Sequence, residues 1–244
     1  MFGQSDLGEQ AISKVAEVGI ASQLDEVENL DVEIHTNPLD LIQGKLESVK
    51  ISGEGMVMKQ DLRMESLEVS TGSIAINPGS VIFGKIDLVQ PTDAAAKITL
   101  TENDINRALN SDFLAEKLQN LEMQVNGNPI IVDIQKAEMH LPGENKLTLQ
   151  ADVLQKDTNE TKHFAVTATP EVQASGQRIG LNILSTESDL SPELTTALCN
   201  KIMELLDLKN FDMPGMSLQL QHLEAQEGEL KLSSNTTIEQ FPSA

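Results

Sequence analysis

Residues 37–76 read NPLDLIQGKLESVKISGEGMVMKQDLRMESLEVSTGSIAI. Asn37-Pro38 opens a helical turn through Leu41 and Ile42 that Gly44 closes, because the residue before a proline is held out of helical geometry and glycine accepts a left-handed end. From Lys45 to Lys59, and again from Leu62 to Ile76, apolar residues recur with period two. That is the mark of strands with one covered face. At ~3.3 Å per residue such strands would span roughly 40 to 50 Å, well past the common strand of about 5 to 6 residues. The alternation slips once in each: Leu46 is out of step with Val49, Ile51 and Val57, and Met64 with Leu67 and Val69. A slip requires a bulge or a strand covered on both faces. The matching words at 46–52 and 64–70 therefore predict equivalent bends in neighbouring antiparallel strands, and hence a long, curved sheet. Such a sheet is an apolar wall that helices or a ligand must cover.

Outward from this stretch, residues 6–23 read as a helix with two adjacent apolar stripes, one of Leu7, Ala11, Val15 and Val18, the other of Ile12, Ala16 and Ile20. Together they predict a rod buried on several sides. Leu30, Val32 and Ile34 alternate with polar residues as a short strand. Strands near 81–89 and 96–100 come next, then a helix that Thr101 and Asp104 start as a capping box, with Ile105, Ala108 and Leu109 on its apolar side. Ser111-Asp112 restarts the chain into a second short helix bearing Phe113, Leu114 and Leu118. A meander follows, with strands near 121–126, 130–141, 145–156, 161–173 and 177–185. Ser191-Pro192-Glu193 supplies a cap, a proline at the first helical position and an acid against the dipole. The helix it begins runs to about Leu208, with Leu194, Leu198, Ile202 and Leu205 inward, and two strands near 216–225 and 229–238 end the chain. With no linker between its halves, residues 1–244 are expected to form a single domain of two lobes, 1–110 and 111–244. The fold class is α+β, a long curved antiparallel sheet wrapped around helices.

Composition narrows the function. A net charge of −21 opposes nucleic acid, where Lys and Arg must neutralise phosphates, and opposes electrostatic docking on anionic bilayers. Membrane contact is expected to be at most transient. Six Phe with no Trp or Tyr leave the interior to be built from aliphatic side chains and Met. One cysteine, Cys199, rules out an internal disulfide framework, and its place among Leu198, Ile202 and Leu205 predicts a small core residue. No basic segment followed by an apolar one opens the chain, and no run approaches the ~18 apolar residues that cross a bilayer. A soluble, cytoplasmic protein is the expectation.

A search for chemistry returns little. His35, His140, His163 and His222 show no metal-ligand spacing, and the serine-hydrolase elbow, the phosphate loop and the dinucleotide fingerprint are absent from the sequence. Acidic pairs such as Asp25-Glu26 are expected by composition alone. Neither a cofactor, nor a metal, nor a catalytic residue is expected. Met56, Met58 and Met64 cluster at the tip joining the two long strands; Met is flexible and polarisable, and suits both an irregular core and an adaptable apolar surface.

Several stretches resemble the bacterial LmeA-like phospholipid-binding family: Glu28 to Ile34, Asn37 to Val49, then Gly53 and Gly55, Leu62 to Val69, and Ile98 to Leu109. The resemblance is strong over residues 9–110 and general beyond. It implies a domain related to the tubular lipid-binding proteins, in which a curved sheet wraps a helix and leaves an apolar groove for lipid, and it carries no catalytic residues to transfer. Read together with the strand and helix faces, it nominates Leu7, Ala11, Val15, Val18, Val49, Ile51, Met56, Met58, Leu62, Met64, Leu67, Val69, Leu100, Ile105 and Leu109 as lipid contacts. The expected function is non-enzymatic binding of acyl chains, as a carrier, with a lipid or fatty acyl ligand as partner. Two alternatives stand beside it. One is an adaptor with a self-filled core whose Met tip holds a protein partner; the other is a lipid-modifying enzyme, which would need a polar cluster facing the groove. The oligomeric state, the headgroup and the chain preference are not legible.

Overall fold

A computed structural model of the chain describes residues 5–58, 61–81, 87–206 and 216–239, the side chains of 5–7, 81 and 216 excepted. Helix α1 (Ser5–Ala21) leads into β1 (Leu24–Glu26) and β2 (Asn29–His35). Asn37 caps α2 (Pro38–Ile42), its Oδ1 accepting from the N–H groups of Leu39 and Asp40 at 3.1 and 2.9 Å. There follow β3 (Lys45–Leu46), β4 (Ser48–Met58), β5 (Leu62–Thr71), β6 (Ile74–Ala75), α3 (Pro78–Val81) and β7 (Thr92–Thr101). The capping box of Thr101 and Asp104 forms at the head of α4 (Glu102–Leu109), and Ser111 caps α5 (Asp112–Lys117). The meander is β8 (Leu121–Val125), β9 (Asn128–Gly143), β10 (Lys146–Gln155), β11 (Glu160–Gln173) and β12 (Arg178–Ser188). Helix α6 (Pro192–Leu205) starts at the Ser191 cap, and β13 (Met216–Gln226) and β14 (Glu229–Ile238) close the described chain.

The fold is mixed α+β, with antiparallel sheets throughout the described residues and one sheet curled strongly into a half-barrel. In the first sheet β1 and β2 share one edge of β4, and the order continues β5, β7, β14, β13. The second sheet runs β12, β11, β10, β9, β8, and β3 pairs with β6 alone. Among the described residues, three apolar cores result. Ile12 of α1 packs with Val32, Ile34, Val49, Ile51 and Ile76 over the first sheet; Leu194, Leu198 and Cys199 of α6 pack with Val132, Val153 and Phe164 over the second. Between the sheets, Leu141, Leu147 and Ala168 meet Ala225 of β13. Asn145 fixes that junction: its N–H donates to the Ala225 carbonyl and its Oδ1 accepts from the Ala225 N–H, both at 3.0 Å.

Three sequence-based expectations need correction. The strands of 45–59 and 62–76 are shorter, because the slip at Leu46 is a break: β3 pairs with β6 and β4 begins afresh at Ser48. The longest strands are β9 and β11, at 16 and 14 residues. The words at 46–52 and 64–70 are not equivalent bends. Leu46 faces Ile74, whereas Met64 faces Met56 at the opposite end of the β4–β5 ladder, whose partners keep one register from Lys50↔Ser70 to Met58↔Leu62. There the alternation turns at Gly55, which has φ +58 and lets the Met56 side chain fold over Gly53, where a Cβ would collide with it. Finally, α1 buries one stripe rather than several sides: Ile12, Ala16 and Ile20 face the core, Ala11 is exposed and Val18 is 59% exposed. The expected strand near 81–89 falls largely outside the described residues; Pro78–Val81 is helical and Ile76 bridges Leu88.

Candidate functional site

An apolar cavity of about 430 Å³ lies between the second sheet and helices α4, α5 and α6. Its floor is the inward face of the sheet. Leu147, Leu149 and Ala151 alternate along β10, opposite Ala137 and Met139 of β9 and beside Phe164 and Pro170 of β11, with Ile179 and Leu181 from β12. The roof is Leu109 at the end of α4, Leu114 and Leu118 of α5, and Leu198, Ile202, Leu205 and Leu206 from α6 and its cap. Leu223 and Leu230, from β13 and β14 of the first sheet, close one side.

Bulges shape the floor. Lys136, at φ +41, sits where the β9–β10 register shifts between Ala137↔Ala151 and Gln135↔Asp152. That extra residue turns Ile134 onto the same face as Ala137 and bends the strand over the roof. A second shift, between Thr167↔Ser185 and Ala168↔Ile183, leaves Leu184 as an extra residue and bends β12 against β11. The hollow persists because the centre of the floor is small: Ala137 and Ala151 pair across β9 and β10, and Phe164 is the one aromatic among the described residues of the lining. The roof ends are pinned by backbone hydrogen bonds. The Ile134 N–H donates to the Leu118 carbonyl at 2.9 Å, and the Ile179 N–H to the Leu206 carbonyl at 3.4 Å.

Among the described residues every lining side chain is apolar except two lysines, Lys117 at the end of α5 and Lys201 on α6. The Lys117 ammonium lies 4.4 Å from the centroid of the Phe113 ring, a cation–π contact. Lys201 pairs with Glu204 at 2.9 Å, one turn along the same helix. Among the described residues the lining holds no serine, histidine or carboxylate, so what they present is apolar surface and two lysine side chains. Among the described residues, no group of His, Cys, Asp and Glu is placed to hold a metal ion. Cys199 is buried in the second core, and burial pushes its thiol up and away from reactivity.

Residues 3–234 match the family model described as LmeA-like phospholipid-binding. The chain belongs to that family. No curated protein matches it. The LmeA-like family is described by phospholipid binding. No helix among the described residues is long and apolar enough to cross a membrane.

Of the residues nominated from the sequence, Leu109 lines this cavity. Val49 and Ile51 are buried in the first core beneath α1, with Val69 packed against them; Val15 is half-buried and Ala11 and Val18 lie on the exposed side of α1. The side chain of Leu7 is outside the described residues. Met56 is 2% exposed, and Met58, Leu62, Met64, Leu67 and Leu100 are half-buried along the first sheet. Ile105 packs against the core between the sheets. The first-sheet residues and Leu109 are therefore not gathered into one site. The second-sheet lining was missed. Its signal is visible in hindsight as the odd-numbered alternation Leu147, Leu149, Ala151 and the small residue at Ala137.

Proposed function

We propose that this LmeA-like chain binds the acyl part of a phospholipid-type ligand in the cavity beneath α5 and α6, without chemical change, and acts as a lipid carrier. One observation carries the reading: a preformed hollow with an almost wholly hydrocarbon lining, in a family described by phospholipid binding. A volume of about 430 Å³ lies within the range of ligand sites, roughly 300–1,000 Å³. At roughly 30 Å³ for each water-sized group in a liquid, it takes about a dozen methylenes, the greater part of one acyl chain. Each methylene withdrawn from water contributes about 0.8 kcal/mol, so affinity arises without a polar recognition motif. Among the described residues the lining holds no serine, cysteine, histidine or carboxylate, which supports binding over catalysis.

Native mass spectrometry of gently purified protein tests this, together with titration of a fluorescent fatty acid. The expected result is co-purifying lipid mass, or saturable uptake of the probe at one site. A clean apoprotein that also takes up no probe sinks the proposal and leaves a self-filled structural module.

A further inference from the structure

We infer that Lys117 and Lys201 select ligands whose head carries net negative charge. The inference rests on the acyl-binding reading above and adds the class of headgroup to it. Both lysine side chains belong to the lining of a cavity that is otherwise apolar among the described residues, and they come from different roof helices, α5 and α6. Lys117 is exposed and the Lys201 side chain is 30% exposed, so both lie where the lining meets water and where the head of a seated lipid would rest. Their stems cover apolar surface while their charges reach solvent.

The charges are available. Lys117 forms no ion pair among the described residues; it rests on the face of Phe113, whose ring neutralises none of its charge. Among the described residues Lys201 pairs with Glu204, which is 67% exposed, three residues along the helix surface. A pair of that kind is weak and yields readily to a phosphate, which accepts stronger charge-assisted hydrogen bonds. Global charge runs the other way. At −21 the protein repels anions at long range, so two cations at the edge of one apolar cavity work against the average field and act over contact distance only. That makes them a device for choosing among lipids already seated by their chains.

The test titrates the full-length chain with lysophosphatidic acid and with lysophosphatidylcholine of the same acyl chain, at low ionic strength, and compares it with the double variant Lys117→Gln, Lys201→Gln. Lysophosphatidic acid should bind about fivefold more tightly, the size expected of two partly exposed charge contacts. The ratio should fall toward one in the variant, and toward one in the unaltered chain as salt screens the contact. A ratio near one in the unaltered chain, or a ratio that survives both substitutions, overturns the inference while leaving acyl binding standing. If neither lipid binds, the acyl-binding reading fails and takes this inference with it.

Discussion

The side-chain amide of Asn106 takes both main-chain groups of Met139: Oδ1 accepts from the Met139 N–H at 2.7 Å and Nδ2 donates to its carbonyl at 2.9 Å. This contact is one of a series. On the same helix Glu102 accepts from the Leu141 N–H at 2.7 Å, and Asn110 Nδ2 donates to the Ala137 carbonyl at 3.4 Å. Residues 102, 106 and 110 are thus read against 141, 139 and 137. The match is geometric, because four helical residues rise about 6 Å and two strand residues about 6.8 Å. Beyond Val132, where β8 stops pairing, α4 and its cap stand in for a strand along the edge of β9 and hold Met139 and Ala137 in the cavity floor.

Asn106→Ala removes two hydrogen bonds and strands an edge N–H and carbonyl. We expect it to lower unfolding free energy by about 2 kcal/mol, read by chemical denaturation. An effect within about 0.5 kcal/mol, the range of an ordinary surface substitution, would mean that water replaces the amide without cost and that α4 does not secure this edge.

The head of the same helix sets the response to acid. The hydrogen bond from the Leu141 N–H, aided by His140, holds the Glu102 carboxyl below its ordinary 4.5 against the opposing effect of burial. Burial alone would raise Asp104, but hydrogen bonds from Thr101 and Arg63 more than offset it and leave that carboxyl below 3.8. Both groups are depressed on folding, so the stability they add is fully present above about pH 4.5 and is lost as pH falls through their folded values. Thermal unfolding temperature should therefore drop between pH 5 and pH 3. Glu102→Gln should flatten part of that drop, and an identical pH profile for the two proteins would refute the assignment.

Arg63 binds Asp104 at 2.7 Å, and its guanidinium also meets Glu65 at 2.8 Å and Glu28 at 3.1 Å. Asp104 is 3% exposed. Arg63→Leu leaves that buried carboxylate without its cation and should cost roughly 3 kcal/mol. Arg63→Leu combined with Asp104→Asn should recover part of the loss, because no charge is then stranded. Equal stability of the single and double variants, measured by urea unfolding, would count against a coupled pair.

Much of the fold was legible because its signals are local. Ser191-Pro192-Glu193 and the Thr101–Asp104 box mark helix starts through hydrogen bonds within one turn, and both form where the residues predict. The bend at Gly55 was half legible: the slip at Met64, which faces Met56, shows that something changes there, but the sequence does not show whether a bulge or a left-handed glycine does it. For α1, two adjacent apolar stripes are equally good before packing, and contact with Val32, Val49 and Ile51 selects that of Ile12, Ala16 and Ile20. The cavity was least legible. Alternation at Leu147, Leu149 and Ala151 reveals a covered face, yet whether that face is filled depends on the register that pairs Ala151 with Ala137 and on a helix docked on an edge, neither of which is written locally.

That small pair permits a test that separates binding from folding. Ala137→Leu and Ala151→Leu each add three carbons to the cavity floor, where there is room to receive them. Filling a void restores lost contacts, so the thermal midpoint of either variant should hold or rise, while uptake of a fluorescent fatty acid should fall at least about tenfold, equivalent to about 1.4 kcal/mol of lost binding. The outcome that defeats the assignment is a variant with full thermal stability and unchanged uptake, since a chain seated between α6 and the second sheet cannot share that space with two further methyl branches and lose nothing.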